Sequence, residues 1–174
     1  MSHVVASNDH AREAAALETE AGAGGPEAGG LLIEAANQWW LAGERGRCLD
    51  LLATVIETGG EAGCFARAER LGVLLHDGDR DAAQTELAAL AADPALTEGP
   101  CELVGELLSD HGALTAALEW YDRVLGFWTD ERHAAAIVPA GGAGGAGAAG
   151  RRTVDQMLAQ QRQRVRKRLG LPPD

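Results

Sequence analysis

Asp77, Asp79 and Asp81 in DGDRDAAQTEL have the alternate spacing with which a calcium loop begins, where carboxylate oxygens would surround a hard cation. Such a loop needs glycine at its sixth position and a bidentate glutamate at its twelfth, and the chain has Ala82 and Ala88 there. The three acids read instead as groups around a tight turn and at a helix N-terminus, where negative charge suits the helix dipole. The five histidines, at 3, 10, 76, 111 and 133, have no HxxxH spacing that would put two rings on one helix face. His76 and His111 are 35 residues apart, an echo of a repeat rather than a pair of ligands. Glycine runs at 22–30 and 141–150 contain GxGxxG-like spacings, but no strand precedes them and no lysine follows. Cys48, Cys64 and Cys101 lack CxxC spacing and read as reduced core thiols, and nothing near Cys48 in sequence would activate it. No catalytic residue, cofactor or metal is therefore expected, and the chain reads as a non-enzyme.

The composition sets the elements. Apolar residues are 46% of the 174, yet only 4% are aromatic, and the Ala, Leu, Glu and Arg that dominate lose little rotamer freedom in a helix. An all-α class follows. No apolar run reaches the ~18 residues of a membrane span, and MSHVV has no basic region leading into an apolar stretch. With reduced cysteines, these features read as a cytoplasmic protein. The net charge of −11 is uneven: residues 151–174 hold seven of the 15 bases and two of the 26 acids, so they carry +5 and residues 1–150 carry −16. An acidic body makes nucleic acid an unlikely partner, while the basic tail suits an acidic surface, including the body itself.

Four segments are expected. Residues 1–30 hold a thin N-terminal helix over 9–21, capped by Asn8 or Asp9, and a glycine-rich break. Residues 31–138 alternate helical runs with short turns, the regular runs ending near Thr129. Residues 139–150 read as a Gly/Ala-rich linker and 151–174 as a basic amphipathic helix stopped by Gly170 and Pro172-Pro173.

Within 31–138 the chain repeats. Gly43, Gly78 and Gly112 mark turns spaced 35 and 34 apart. Five residues after each stands a small residue (Cys48, Ala83, Ala117), four further on a large one (Leu52, Leu87, Tyr121), then Val55, Leu90 and Val124. Before the turns lie Ala36, Gly72 and Gly105, followed three residues later by Trp39, Leu75 and Leu108, which makes the second unit one residue shorter there. Small residues belong where two antiparallel helices cross, because a large one would push the axes beyond the usual ~8–10 Å. One such pair cannot bury its own faces, so about three units must stack.

These residues resemble the tetratricopeptide repeat. PCELVGELLSDHGALTAALEWYDRVL matches that family's pattern at Gly105, Leu108, Gly112, Ala117, Tyr121 and Val124, and departs from it in having the proline after a second helix only at Pro94. The resemblance spans Leu31 to Trp128 and implies a short solenoid of helix pairs with flanking helices. The ending Arg162, Val165, Arg166, Leu169 to Asp174 also resembles a group of actinobacterial repeat proteins of mostly unassigned role. The tetratricopeptide resemblance implies a concave groove lined by the first helix of each unit: Glu34, Asn37 and Trp40; Glu69, Arg70, Val73 and His76; Glu102, Glu106, Ser109 and Asp110. With five acids and one arginine, that groove would hold a basic peptide or helix of a protein partner; a solvated face with no ligand is the alternative.

Trp39 and Trp40 point about 100° apart on a helix. Trp39 fits a core position, and Trp40 faces either the groove or the N-terminal helix. On the tail, Val154, Leu158, Val165 and Leu169 form an apolar stripe with Met157 beside it, and Arg162, Arg164, Arg166, Lys167 and Arg168 crowd the C-terminal half. Three roles fit this helix: a cap on the end of its own repeats, an occupant of an acidic groove in its own or another copy, or a binder of an anionic surface. The functional expectation is a non-enzymatic scaffold or adaptor. The alternative is a self-assembling subunit that forms homo-oligomers through repeat edges or the tail helix.

Overall fold

The computed structural model describes the backbone over residues 2–137 and 146–172, with side-chain environments over 7–127 and 156–172. Among these residues the chain is all helix: α1 (Ser2–Ala21), α2 (Ala28–Leu41), α3 (Arg45–Thr58), α4 (Gly60–Asp77), α5 (Arg80–Ala92), α6 (Glu98–Asp110), α7 (Leu114–Ile137) and α8 (Ala146–Arg168). They form two compact units, Met1–Leu96 and Thr97–Asp174. In the first, each helix from α1 to α5 packs on the next and α2 also meets α4; in the second, α6 packs on α7 and α7 on α8. The terminal helices α1 and α8 pack on α2 and on α7, each within its own unit.

The turn glycines do what their spacing suggested. Gly43, Gly78 and Gly112 all have left-handed backbone, with φ of 85°, 75° and 78°, a region that glycine enters without a Cβ clash. Each closes the same double hydrogen bond over the end of its helix. Glu44, Asp79 and Ala113 donate to the carbonyls of Trp39, Leu74 and Leu108 at 2.9, 3.0 and 2.8 Å, and each glycine donates to the carbonyl three residues before it. This is the Schellman arrangement, which satisfies carbonyls the helix leaves open. Asp79 also caps α5, its Oδ1 accepting from the Ala82 amide at 3.1 Å.

Because the three turns are identical, the second unit is not shortened. Leu71, fully buried, is the equivalent of Ala36 and Gly105, and Leu74 that of Trp39 and Leu108; Gly72 is only half-buried. Side-chain size had slid that alignment by one residue, whereas the backbone hydrogen bonds fix it. After the turns the small residues Cys48, Ala83 and Ala117 are buried, as are Leu52, Tyr121, Val55, Leu90 and Val124. Leu87 is half-buried, and its neighbour Glu86 is buried in its stead, accepting from Arg67 and Arg70 of α4.

In the first unit the core gathers Ala14, Ala36, Trp39, Cys48, Leu52, Val55, Ala66 and Val73. Trp39 lies against α1 and α3: its indole N–H donates to Glu18 at 2.5 Å, and the Arg47 guanidinium sits 3.7 Å from the ring centroid. Glu18 also accepts from Arg47 at 3.1 Å. In the second unit Gly105 lets α7 come close, since a Cβ there would stand 2.7 Å from the Tyr121 ring.

Two helix starts differ from expectation. α1 begins at Ser2 instead of being capped at Asn8 or Asp9, because docking on α2 supports its first half: Ser7 Oγ donates to the Ala42 carbonyl at 2.8 Å, and the His10 ring bonds Gln38 at 2.7 Å. Packing outweighs the weak propensity of those residues. The expected linker at 139–150 lies outside the described residues up to 145, and from Ala146 the backbone is already helical. Ala146, Ala148 and Ala149 are strong helix formers that extend α8 upstream despite their glycine neighbours. α7 likewise continues past Thr129 to Ile137.

Candidate functional site

Within the first unit, the stripe Glu69, Val73 and His76 of α4 turns toward α2 and closes a seam between the two helices. Gly29 of α2 makes the close approach possible, because a Cβ there would lie 3.0 Å from Ala62. Along the seam Asn37 Nδ2 donates to Glu69 Oε1 at 3.3 Å, and the Trp40 and His76 rings meet edge to face with centroids 5.1 Å apart. Burial lifts the Glu69 carboxyl above the usual range, and the Asn37 hydrogen bond partly offsets this.

Two of the expected groove residues are placed differently, and Trp40 joins the seam. Val73 belongs to the core, with 6% exposure, because its position on the stripe meets α2. Arg70 pairs with the buried Glu86 of α5, joined by Arg67 at 3.4 Å, which takes it to the other side of α4. Its Nε is buried without a partner. Trp40 is half-buried, packed against the core cluster, with its ring edge to face on His76. Glu34 is exposed. Beside this seam Arg45 of α3 holds Asp77 at 2.5 Å.

In the second unit Glu98, Glu102, Glu106 and Asp110 follow one another every four residues along α6, so their carboxylates form an oblique row. The Glu102 carboxyl is raised above its ordinary range, first by burial and then by the like charges of Glu106 and Glu98. Tyr121, at 2% exposure, has its hydroxyl pushed up to about 12 by burial and then by Glu106, Glu102 and Asp110. Beside this row α8 packs on α7, its Leu158 and Val165 fully buried. Gln161 Nε2 donates to Glu106 Oε1 at 2.5 Å, Arg168 donates to the Ser109 carbonyl at 3.2 Å, and Arg162 Nε donates to Asp122 of α7 at 2.8 Å. Between α6 and α8 runs a cleft of about 600 Å³ lined by Glu106, Ser109, Asp110, Tyr121, Arg164 and Lys167.

The tail cations thus divide. Arg162 and Arg168 hold α8 to its own unit, and Arg168 also lines the cleft with Arg164 and Lys167. Arg166 donates twice to the Pro172 carbonyl, at 3.0 and 2.8 Å, and so pins the end of the chain back on α8. Met157 of α8 is 55% exposed, and Leu171, just beyond the helix, is 43% exposed.

Sequence reading missed Glu86, Asp122 and Gln161. Glu86 had a signal, two arginines three residues apart on the preceding helix. Gln161 had none, since its role comes only from lying opposite Glu106.

The three cysteines are buried and form no disulfide, and burial raises the Cys48 thiol to about 11, so it is held as a thiol. Among the described residues no group of three or more His, Cys, Asp or Glu could hold a metal ion, and no helix is long and apolar enough to cross a membrane. No protein-family model, curated protein or solved structure matches the chain.

Proposed function

We propose that this chain is a tetratricopeptide-type repeat protein that acts without catalysis, as a cytoplasmic scaffold or adaptor. Its α6–α7 face receives a basic helix or peptide from a partner protein. The observation that supports this most is the seating of α8: a basic amphipathic helix lies beside the acidic row, with Gln161 on Glu106 and Arg168 on Ser109. Two apolar anchors with polar contacts around them are the usual means by which a groove takes an amphipathic helix. Charge complementarity sets the orientation and excludes acidic competitors. The net charge of −11 opposes nucleic acid as the partner.

The test is a binding isotherm of a labelled basic amphipathic peptide against the full chain and against the triple variant Glu102→Lys, Glu106→Lys, Asp110→Lys. The reading expects saturable binding that weakens with salt and falls at least about tenfold in the variant, the effect of reversing charges at a desolvated site. Unchanged affinity in the variant rejects it. The second reading, self-assembly, draws on the exposed Met157 of α8 and Leu171 just after it; sedimentation showing only monomer at high micromolar concentration rejects that one.

A further inference from the structure

We propose that the α6–α7 face is a helix-docking site which α8 occupies as a built-in competitor, and that the partner replacing it is a basic amphipathic helix with Lys or Arg where α8 has Gln161. This rests on the reading of that face as a receptor for basic helices, and it adds both the regulation and the sequence that the partner must carry.

The argument starts from what Gln161 leaves undone. Its Nε2 bonds Glu106, but its Oε1 is buried with no hydrogen-bond partner. Rotating the amide would put oxygen against the carboxylate, so the orphan acceptor cannot be relieved by a flip. Lysine and arginine carry donors and no acceptor, so at this position either would leave no acceptor orphaned. Either would also replace a neutral donor by a positively charged one beside a carboxylate that already repels its neighbour Glu102. Residue 161 is therefore where α8 is a poor fit for its own site. Elsewhere it fits, with Leu158 and Val165 buried and Arg162 on Asp122. A helix that keeps those features and corrects position 161 would outcompete it. Because α8 belongs to the same chain, its high effective concentration keeps weaker ligands out and sets an affinity threshold for the partner.

The experiment uses three full-length chains: wild type, Gln161→Lys and Gln161→Glu. The probes are two labelled synthetic peptides spanning residues 153–172, one native and one carrying Gln161→Lys, titrated by fluorescence anisotropy. The inference expects the Gln161→Lys peptide to bind wild type about tenfold tighter than the native peptide. It also expects both peptides to bind Gln161→Glu, whose latch is repelled by Glu106, more tightly than wild type, and Gln161→Lys more weakly, each by about tenfold. Equal affinities across the three chains would overturn the competition while leaving basic-helix binding in place. Equal affinities of the two peptides would overturn the assignment of position 161. No saturable binding to any chain, up to millimolar peptide, would overturn the receptor reading as well. Far-UV circular dichroism checks each fold; if Gln161→Glu loses helix, wild type against Gln161→Lys decides the matter.

Discussion

Replacing Gly105 with alanine should destabilise the chain even though alanine is the better helix former. Gly105 lies in the interior of α6, and the added Cβ would stand 2.7, 2.9 and 3.0 Å from three ring carbons of Tyr121. Carbon atoms rest at about 3.5–4.0 Å, so the closest contact is short by roughly 1 Å. Tyr121 is only 2% exposed and has nowhere to swing, so either the two helices separate or the ring leaves its rotamer. Overpacking of this kind costs about 1–3 kcal/mol, against a propensity gain of about 1 kcal/mol for replacing a helical glycine. The net expectation is a loss of about 1 kcal/mol. Gly126 supplies the control, because it is exposed within α7 and a Cβ there meets nothing within 4 Å. Gly126→Ala should therefore gain about 0.5–1 kcal/mol. Urea unfolding followed by far-UV circular dichroism would separate the two variants by about 2 kcal/mol, and thermal melts by about 4–8 °C at roughly 2–4 °C per kcal/mol for a chain of this size. A double variant with Tyr121→Leu should recover most of the Gly105→Ala loss through coupling. The packing argument is refuted if Gly105→Ala stabilises the chain as much as Gly126→Ala does.

Removing the buried Glu86 by Glu86→Ala strands Arg67 and Arg70, one of them already with an unpartnered Nε, and should cost about 3 kcal/mol in urea unfolding. Glu69→Gln keeps the acceptor for Asn37 and removes a carboxylate whose folded-state pKa is raised by burial. A raised carboxyl makes the folded state bind the extra proton, so its contribution is present at low pH and is lost as pH climbs from the ordinary carboxylate range through the folded pKa. The variant should accordingly flatten the decline of stability above about pH 4.5, read from unfolding midpoints between acid and neutral pH. Gly78→Ala forces a side chain into left-handed backbone at φ 75° and should lower stability by about 1–2 kcal/mol, with Gly78→Asn costing less because asparagine tolerates that region.

The sequence by itself determined the helices, the three turns and most of the small–large packing. Gly43, Gly78 and Gly112 could be identified because a left-handed helix end strongly favours glycine, and Cys48, Ala83 and Ala117 because a close crossing admits only small side chains there. These are local or nearest-neighbour demands, and residue type records them. What a surface residue faces is not recorded this way. Glu69, Val73 and His76 lie on one stripe whether that stripe is open or closed; the approach of α2 at Gly29 turned it into a seam. Arg70 and Glu86 pair across two helices, and neither residue alone announces burial. The basic character of α8 was evident from its arginines, but several acidic surfaces were equally available to it. Only the tertiary structure packs α8 on α7, buries Leu158 and Val165, and puts Gln161 against Glu106. Charge gives a helix its class of partner, while the fit of a few buried apolar side chains decides which surface it takes and which residues then meet.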